Sequence, residues 1–79
     1  MAVEEIFFEY RGDHIELQQL LKALKVAPTG GVAKMMIRSG EVLVNGEVET
    51  RRSRKLRAGD VVQVGNLLVR LVRSHEDES

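Results

Sequence analysis

Cysteine does not occur anywhere in this chain of 79 residues. That removes both a disulfide framework and a thiolate zinc site as staples for the fold, and it fits a reducing, cytoplasmic setting. Long apolar runs are missing as well. The amino terminus, Met1-Ala2-Val3-Glu4-Glu5, is acidic, which excludes a secretory signal and a membrane span there. Catalytic patterns are equally scarce. No Gly-rich loop ends in Lys-Ser or Lys-Thr, no serine and histidine stand at a defined spacing, and no carboxylates pair in an identifiable pocket. His14, beside Asp13, reads as a surface residue; His75, with Glu76 and Asp77, reads as part of a frayed tail and not as a metal site. A chain this short has little room for a substrate cleft of ~300 Å³ or more. The expectation is a protein that is no enzyme and holds neither metal nor cofactor.

Net charge is also lacking, since twelve basic residues balance twelve acidic ones. The distribution, however, is uneven. Residues 1–21 hold one basic and five acidic groups, residues 22–57 nine basic and three acidic, and residues 58–79 two basic and four acidic. A positive middle lies between negative ends. Its densest part is Arg51-Arg52-Ser53-Arg54-Lys55-Leu56-Arg57, with five cations in seven residues. Segregated charge makes a field with direction, and a positive field attracts polyanions. Phosphate backbones are the commonest such partner.

The pattern of the chain is that of one small α+β domain. Ile6, Phe8 and Tyr10 alternate with Phe7, Glu9 and Arg11, which predicts a first strand over roughly 4–10. After Gly12, Asp13 is expected to cap a helix, with Glu16 completing a capping box. Leu17, Leu20, Leu21 and Leu24 then mark one apolar face of a helix running to about Lys25. Ala27-Pro28-Thr29-Gly30-Gly31 breaks the chain, and Thr29 is the expected cap of a second helix to about Ser39. Val32, Ala33, Met36 and Ile37 form its inner face, with Met35 also taken as core filler; Lys34 and Arg38 point outward. Gly40 closes the helix. Val42-Leu43-Val44, Asn45-Gly46 and Glu47–Thr50 read as a tight type I′ hairpin. Beyond the basic run, Ala58-Gly59-Asp60 and Gly65-Asn66 are turns around strands at 61–64 and 67–72. The domain is expected to span 1–73, with 74–79 a disordered acidic tail.

This order of features resembles the S4-type RNA-binding domain, the αL module of ribosomal protein S4, pseudouridine synthases and tyrosyl-tRNA synthetases. The residues that carry the resemblance are Leu17, Leu20, Leu21, Leu24, Thr29, Ala33, Ile37, Gly40, Val42, Val44-Asn45-Gly46, and Gly59-Asp60 with Val62 and Val64. With one added strand in front, the chain is similar to the small stand-alone S4-like proteins of bacteria. The resemblance implies two helices packed on a small, mainly antiparallel sheet with an extra N-terminal strand. It also implies RNA contacts at Lys25, Thr29, Lys34, Arg38, Arg51, Arg52, Arg54, Lys55 and Arg57. Where many S4 domains place an arginine directly after the cap residue, this chain has Gly30. The implied partner is structured RNA, ribosomal or transfer, with the ribosome as a further candidate; a monomer is expected, and no membrane.

Other readings of the same residues compete. A charged run is often a solvated loop. Asn45 reads first as a turn residue and Thr29 first as a helix cap. Phe7, Phe8 and Tyr10 have faces on which unpaired bases stack, but Glu4, Glu5 and Glu9 beside them favour core or edge packing. For the whole molecule the rival is a protein-interaction module that uses the acidic ends, or a strip of Leu43, Leu68 and Val72. Self-association through the first or last strand is a third reading.

Overall fold

A computed structural model describes residues 3–74. The first strand, β1 (Glu4–Tyr10), lies where the alternation placed it. The chain then forms a two-residue strand β2 (Ile15–Glu16) before helix α1 (Leu17–Ala23). This corrects the expected start of the helix at Asp13. Ile15 and Glu16 pair antiparallel with Lys55 and Leu56, so the backbone stays extended until Leu17. Glu16 is therefore the cap, in a capping box with Gln19.

α1 also ends earlier than its leucines suggested. Leu24 is the C-cap and Lys25 adopts a left-handed conformation with φ 62°. The Lys25 amide donates to Lys22 O (3.0 Å) and the Val26 amide to Leu21 O (3.1 Å). These two bonds make a Schellman motif, in which glycine is the usual left-handed residue. Helix α2 (Gly30–Arg38) matches expectation: the Thr29 hydroxyl accepts from the Val32 amide at 3.2 Å, and Gly40 takes φ 85° after the last turn. Its inner face is narrower than predicted. Ala33 and Ile37 are buried and Met36 packs against the core, but Val32 is 37% and Met35 71% exposed. A nine-residue helix touching one small core buries a stripe only two or three residues wide.

The remaining strands are β3 (Val42–Val44), β4 (Glu47–Val48), β5 (Lys55–Leu56), β6 (Val61–Val64) and β7 (Leu67–Arg73). The main sheet runs β1-β7-β6-β3-β4; β1 is parallel to β7 and the other pairs are antiparallel. Asn45 and Gly46 turn β3 into β4 with φ 54° and 87°, both positive as a type I′ turn requires. The core joins Leu17, Leu20 and Leu21 of α1 and Ala33 and Ile37 of α2 to the inward residues of the sheet, Val42, Val44, Val62, Val64, Val69 and Leu71. Leu56 of β5 enters the same cluster. Tyr10 is buried, and its hydroxyl accepts from the Ala58 amide at 2.7 Å. Phe8 packs partly on the core, whereas Phe7 is 67% exposed on the opposite face. Core or edge packing thus fits Tyr10 and Phe8 but not Phe7.

The Ser74 amide donates to Tyr10 O (2.8 Å), and Ser74 is buried, so it packs with the sheet. The rest of the expected acidic tail, 75–79, lies outside the described residues. No helix among the described residues is long and apolar enough to cross a membrane.

Candidate nucleic-acid interface

The run from Arg51 to Arg57 is built as a scaffolded loop. Two of its carbonyls cap α1: the Leu17 amide donates to Arg54 O (2.9 Å) and the Gln18 amide to Arg52 O (3.0 Å). The first amides of a helix have no partner within it, and here the basic loop supplies one for two of them. Leu56, fully buried, nails the far end of the loop into the core while its neighbours Lys55 and Arg57 stay exposed.

The near end is held by Glu49, which is only 7% exposed. Glu49 Oε2 accepts from the Arg51 amide (2.9 Å) and from Arg51 Nε (3.0 Å). Glu49 Oε1 accepts from Arg51 Nη2 (3.2 Å) and Arg54 Nη1 (2.8 Å). The Arg51 side chain, opposed by the cost of burial and helped by the Arg51 amide and Arg54, lowers the Glu49 pKa to about 2. Glu49 in turn raises the pKa of Arg51 above its ordinary value. Sequence reasoning missed Glu49. The available signal was an acid at the end of a hairpin, two residues before an arginine run.

Arg57 is held from two sides. Its Nη2 donates to Asp13 Oδ2 (3.1 Å), and its amide donates to Asp60 Oδ2 (2.9 Å). Asp13, expected as a helix cap, thus serves the loop; hydrogen bonds from His14 and then Arg57 hold its pKa below the usual carboxylate value. Asp60 also accepts from Asn45 Nδ2 (3.0 Å), while Asn45 Oδ1 accepts from the Val61 amide (2.9 Å). Asn45 thereby joins two turns through both ends of its side-chain amide.

These restraints leave a groove of about 350 Å³ lined by Arg51, Ser53, Arg54, Lys55 and Arg57, which corrects the expectation that so short a chain has little room for a concavity of that size. Every lining residue but Ser53 is cationic. Among the described residues, Lys22, Lys25, Lys34, Arg38, Arg52 and Lys55 make no salt bridge. Lys34 and Arg38 sit on α2, Lys34 half-buried and Arg38 exposed. The turn after α2 abuts β4, since a Cβ built on Gly40 would lie 3.7 Å from Val48 Cγ1. β4 leads directly into Glu49 and the loop. Lys25 is exposed at the end of α1, and Thr29 is exposed with its hydroxyl engaged as the cap.

Comparison with known proteins accords with this geometry. The S4 domain profile matches residues 8–72, nearly all of the described structure. The chain belongs to the S4 domain family. It is similar to a Bacillus subtilis (strain 168) protein named "Probable ribosome maturation protein RlbA", with 50% identity over 50 residues, 63% of this chain and 70% of the other. It is also similar to "Putative RNA-binding protein YbcJ" of Escherichia coli (strain K12), with 41% identity over 59 residues, 75% of this chain and 84% of the other. Within this S4 domain the family match takes in both helices, the hairpin, the basic loop and the 58–60 turn. The family match begins inside β1, at Phe8, so the first half of that strand lies outside it.

Proposed function

We propose that this chain is a non-catalytic RNA-binding protein that docks on structured RNA through its basic loop and the exposed side of α2. The observation that carries the reading is the cation-lined groove of about 350 Å³ at residues 51–57, set on an S4 domain. Guanidinium groups pair bidentately with phosphate oxygens. Arg52 and Lys55 bring unpaired charge, and Lys25, Lys34 and Arg38 are further cations without a salt bridge among the described residues. A-form duplexes hide their base edges in a deep, narrow groove, so contacts go to the backbone and the shape of the helix. Little dependence on sequence is expected. The name of the Bacillus subtilis relative, with its reference to ribosome maturation, favours ribosomal RNA over transfer RNA as the target. The absence of cysteine favours the cytoplasm.

The test is equilibrium binding to ribosomal RNA fragments across a salt series. With ~4–6 phosphates neutralised, log affinity should fall against log salt with a slope of about −3 to −5. The Arg52→Glu/Lys55→Glu double variant should lose most of the affinity while keeping its melting transition. Salt-insensitive binding, or full affinity in that variant, rejects the proposal.

A further inference from the structure

The face of the sheet opposite the core carries a second concavity. It has a volume of about 450 Å³ and runs between Phe7 on β1 and the 58–61 turn, across Arg70 and Val72 of β7. Its lining is mainly apolar, unlike the cationic groove. The sheet register explains its shape. Arg70 pairs with Phe7 on one side and with Val61 on the other, so the three side chains form one row across three strands. Strands are spaced ~4.8 Å apart, which sets Phe7 and Val61 about 9–10 Å from each other over the Arg70 stem. The Arg70 stem floors this span, and a flat ring laid against Phe7 meets it at the ~3.5–4.0 Å of ordinary van der Waals contact.

The polar groups around this slot are already committed. Arg70 Nε is drawn to Glu5 Oε2, toward the start of β1 and away from the Gly59 end. Asp60 gives one oxygen to Asn45 and the other to the Arg57 amide. An occupant is therefore held by stacking and apolar contact, with little hydrogen-bond readout. Phe7, the large exposed aromatic of the slot, supplies the stacking face. Of the three carboxylates that count against nucleic acid in the sequence alone, Glu5 is paired with Arg70, while Glu9 stands two residues along from Phe7 on the same exposed face, opposite Val72.

Position decides what the occupant is. Arg57 lines the cationic groove and the next residue, Ala58, lines the apolar slot. Successive Cα atoms are only ~3.8 Å apart, so the two concavities meet at one turn. We infer that the slot receives an unpaired nucleobase, stacked on Phe7, from an RNA whose backbone lies on the basic loop. The inference rests on the RNA-binding reading above and extends it: the preferred substrate is a duplex end or bulge with at least one unpaired nucleotide. Stacking on an aromatic side chain tolerates any base, so this adds preference for strandedness and not for sequence.

The experiment uses the full chain and two RNAs, a blunt hairpin and the same hairpin with a short unpaired extension containing 2-aminopurine. The extension should strengthen binding about tenfold and quench the 2-aminopurine emission, in line with measured base-stacking contributions. Phe7→Leu should remove that gain and the quench while leaving the blunt hairpin unaffected; Phe7→Trp should restore both. Arg52→Glu/Lys55→Glu should weaken both RNAs alike. If the blunt hairpin binds and the extension adds nothing, the slot inference fails and the docking reading stands. If the wild-type chain binds neither RNA, both fail. A Phe7→Leu variant that keeps the quench, or that loses only a protein partner on co-purification, also overturns the inference.

Discussion

Glu49 and Arg51, two positions apart, share three hydrogen bonds, two through the guanidinium and one through the Arg51 amide. A buried carboxylate thereby anchors the loop that carries most of the positive charge. The arrangement makes acid stability a readout of the loop. The folded pKa is about 2 against an ordinary 4.5, so between these values the unfolded chain binds more protons than the folded one. The pair's stabilisation is present in full above pH 4.5 and is lost as pH falls towards 2. Urea unfolding from pH 7 down to pH 2 should show this loss. Glu49→Gln should cost about 1–3 kcal/mol at neutral pH, because charged donors lose their acceptor. It should also flatten the acid limb. An acid limb as steep in Glu49→Gln as in the wild type refutes the anchoring role.

The same geometry divides the basic run into anchors and free charges. Arg51 and Arg54 hold Glu49, whereas Arg52 and Lys55 make no salt bridge among the described residues. Arg51→Gln and Arg54→Gln should each lower the urea midpoint. Arg52→Gln and Lys55→Gln should leave stability within ~0.5 kcal/mol, as exposed surface changes do, yet each should reduce the salt slope of RNA binding by roughly one. Equal effects of all four on stability would remove the distinction.

The contrast also shows what a linear sequence reveals. Thr29, Gly40 and Asn45-Gly46 were legible because their chemistry is local: a hydroxyl three residues from an amide, or a backbone angle that few residues tolerate. The β2–β5 ladder was not legible, because Ile15 and Glu16 become extended only through Lys55 and Leu56, forty residues away. Glu49 was hidden for a related reason, since burial and two arginine partners belong to the folded loop. Alternation in β1 correctly separated Phe7 from Phe8 and Tyr10. It carried no information on which face a second layer covers, and so the exposure of Phe7 came only with the structure.

Lys25 provides a test in which stability and binding move in opposite directions. It is a non-glycine residue at φ 62°, in a Schellman position where a Cβ is crowded by backbone. Relief of ~1–2 kcal/mol of left-handed strain, less the ~0.5–1 kcal/mol entropic cost of glycine, should leave Lys25→Gly more stable by up to about 1 kcal/mol in urea titrations. It also deletes an unpaired cation, so affinity for structured RNA should drop several-fold at low salt. Lys25→Asn, which tolerates the same conformation, should match the affinity loss with a smaller gain in stability. Unchanged affinity in both variants would separate Lys25 from the RNA site.

Leu56 couples the core to the loop more directly than any charged residue does. It is fully buried between exposed Lys55 and Arg57, and its strand pairs with Ile15–Glu16 just before α1. Leu56→Ala should cost about 2–5 kcal/mol through lost contacts and the cavity left behind. A domain this small holds only ~3–5 kcal/mol in total, so that variant should be largely unfolded at 37 °C by circular dichroism. Leu56→Met conserves volume and should cost less than ~1.5 kcal/mol, leaving the protein folded but with a less firmly seated loop. Amide exchange in Leu56→Met should then quicken at Leu17 and Gln18, whose amides bond to Arg54 O and Arg52 O, ahead of any change at Val62 or Val69 in the sheet. Uniform acceleration across the domain would mean that the loop does not open as a unit of its own, and that its cations are positioned by the whole fold instead of by this single side chain.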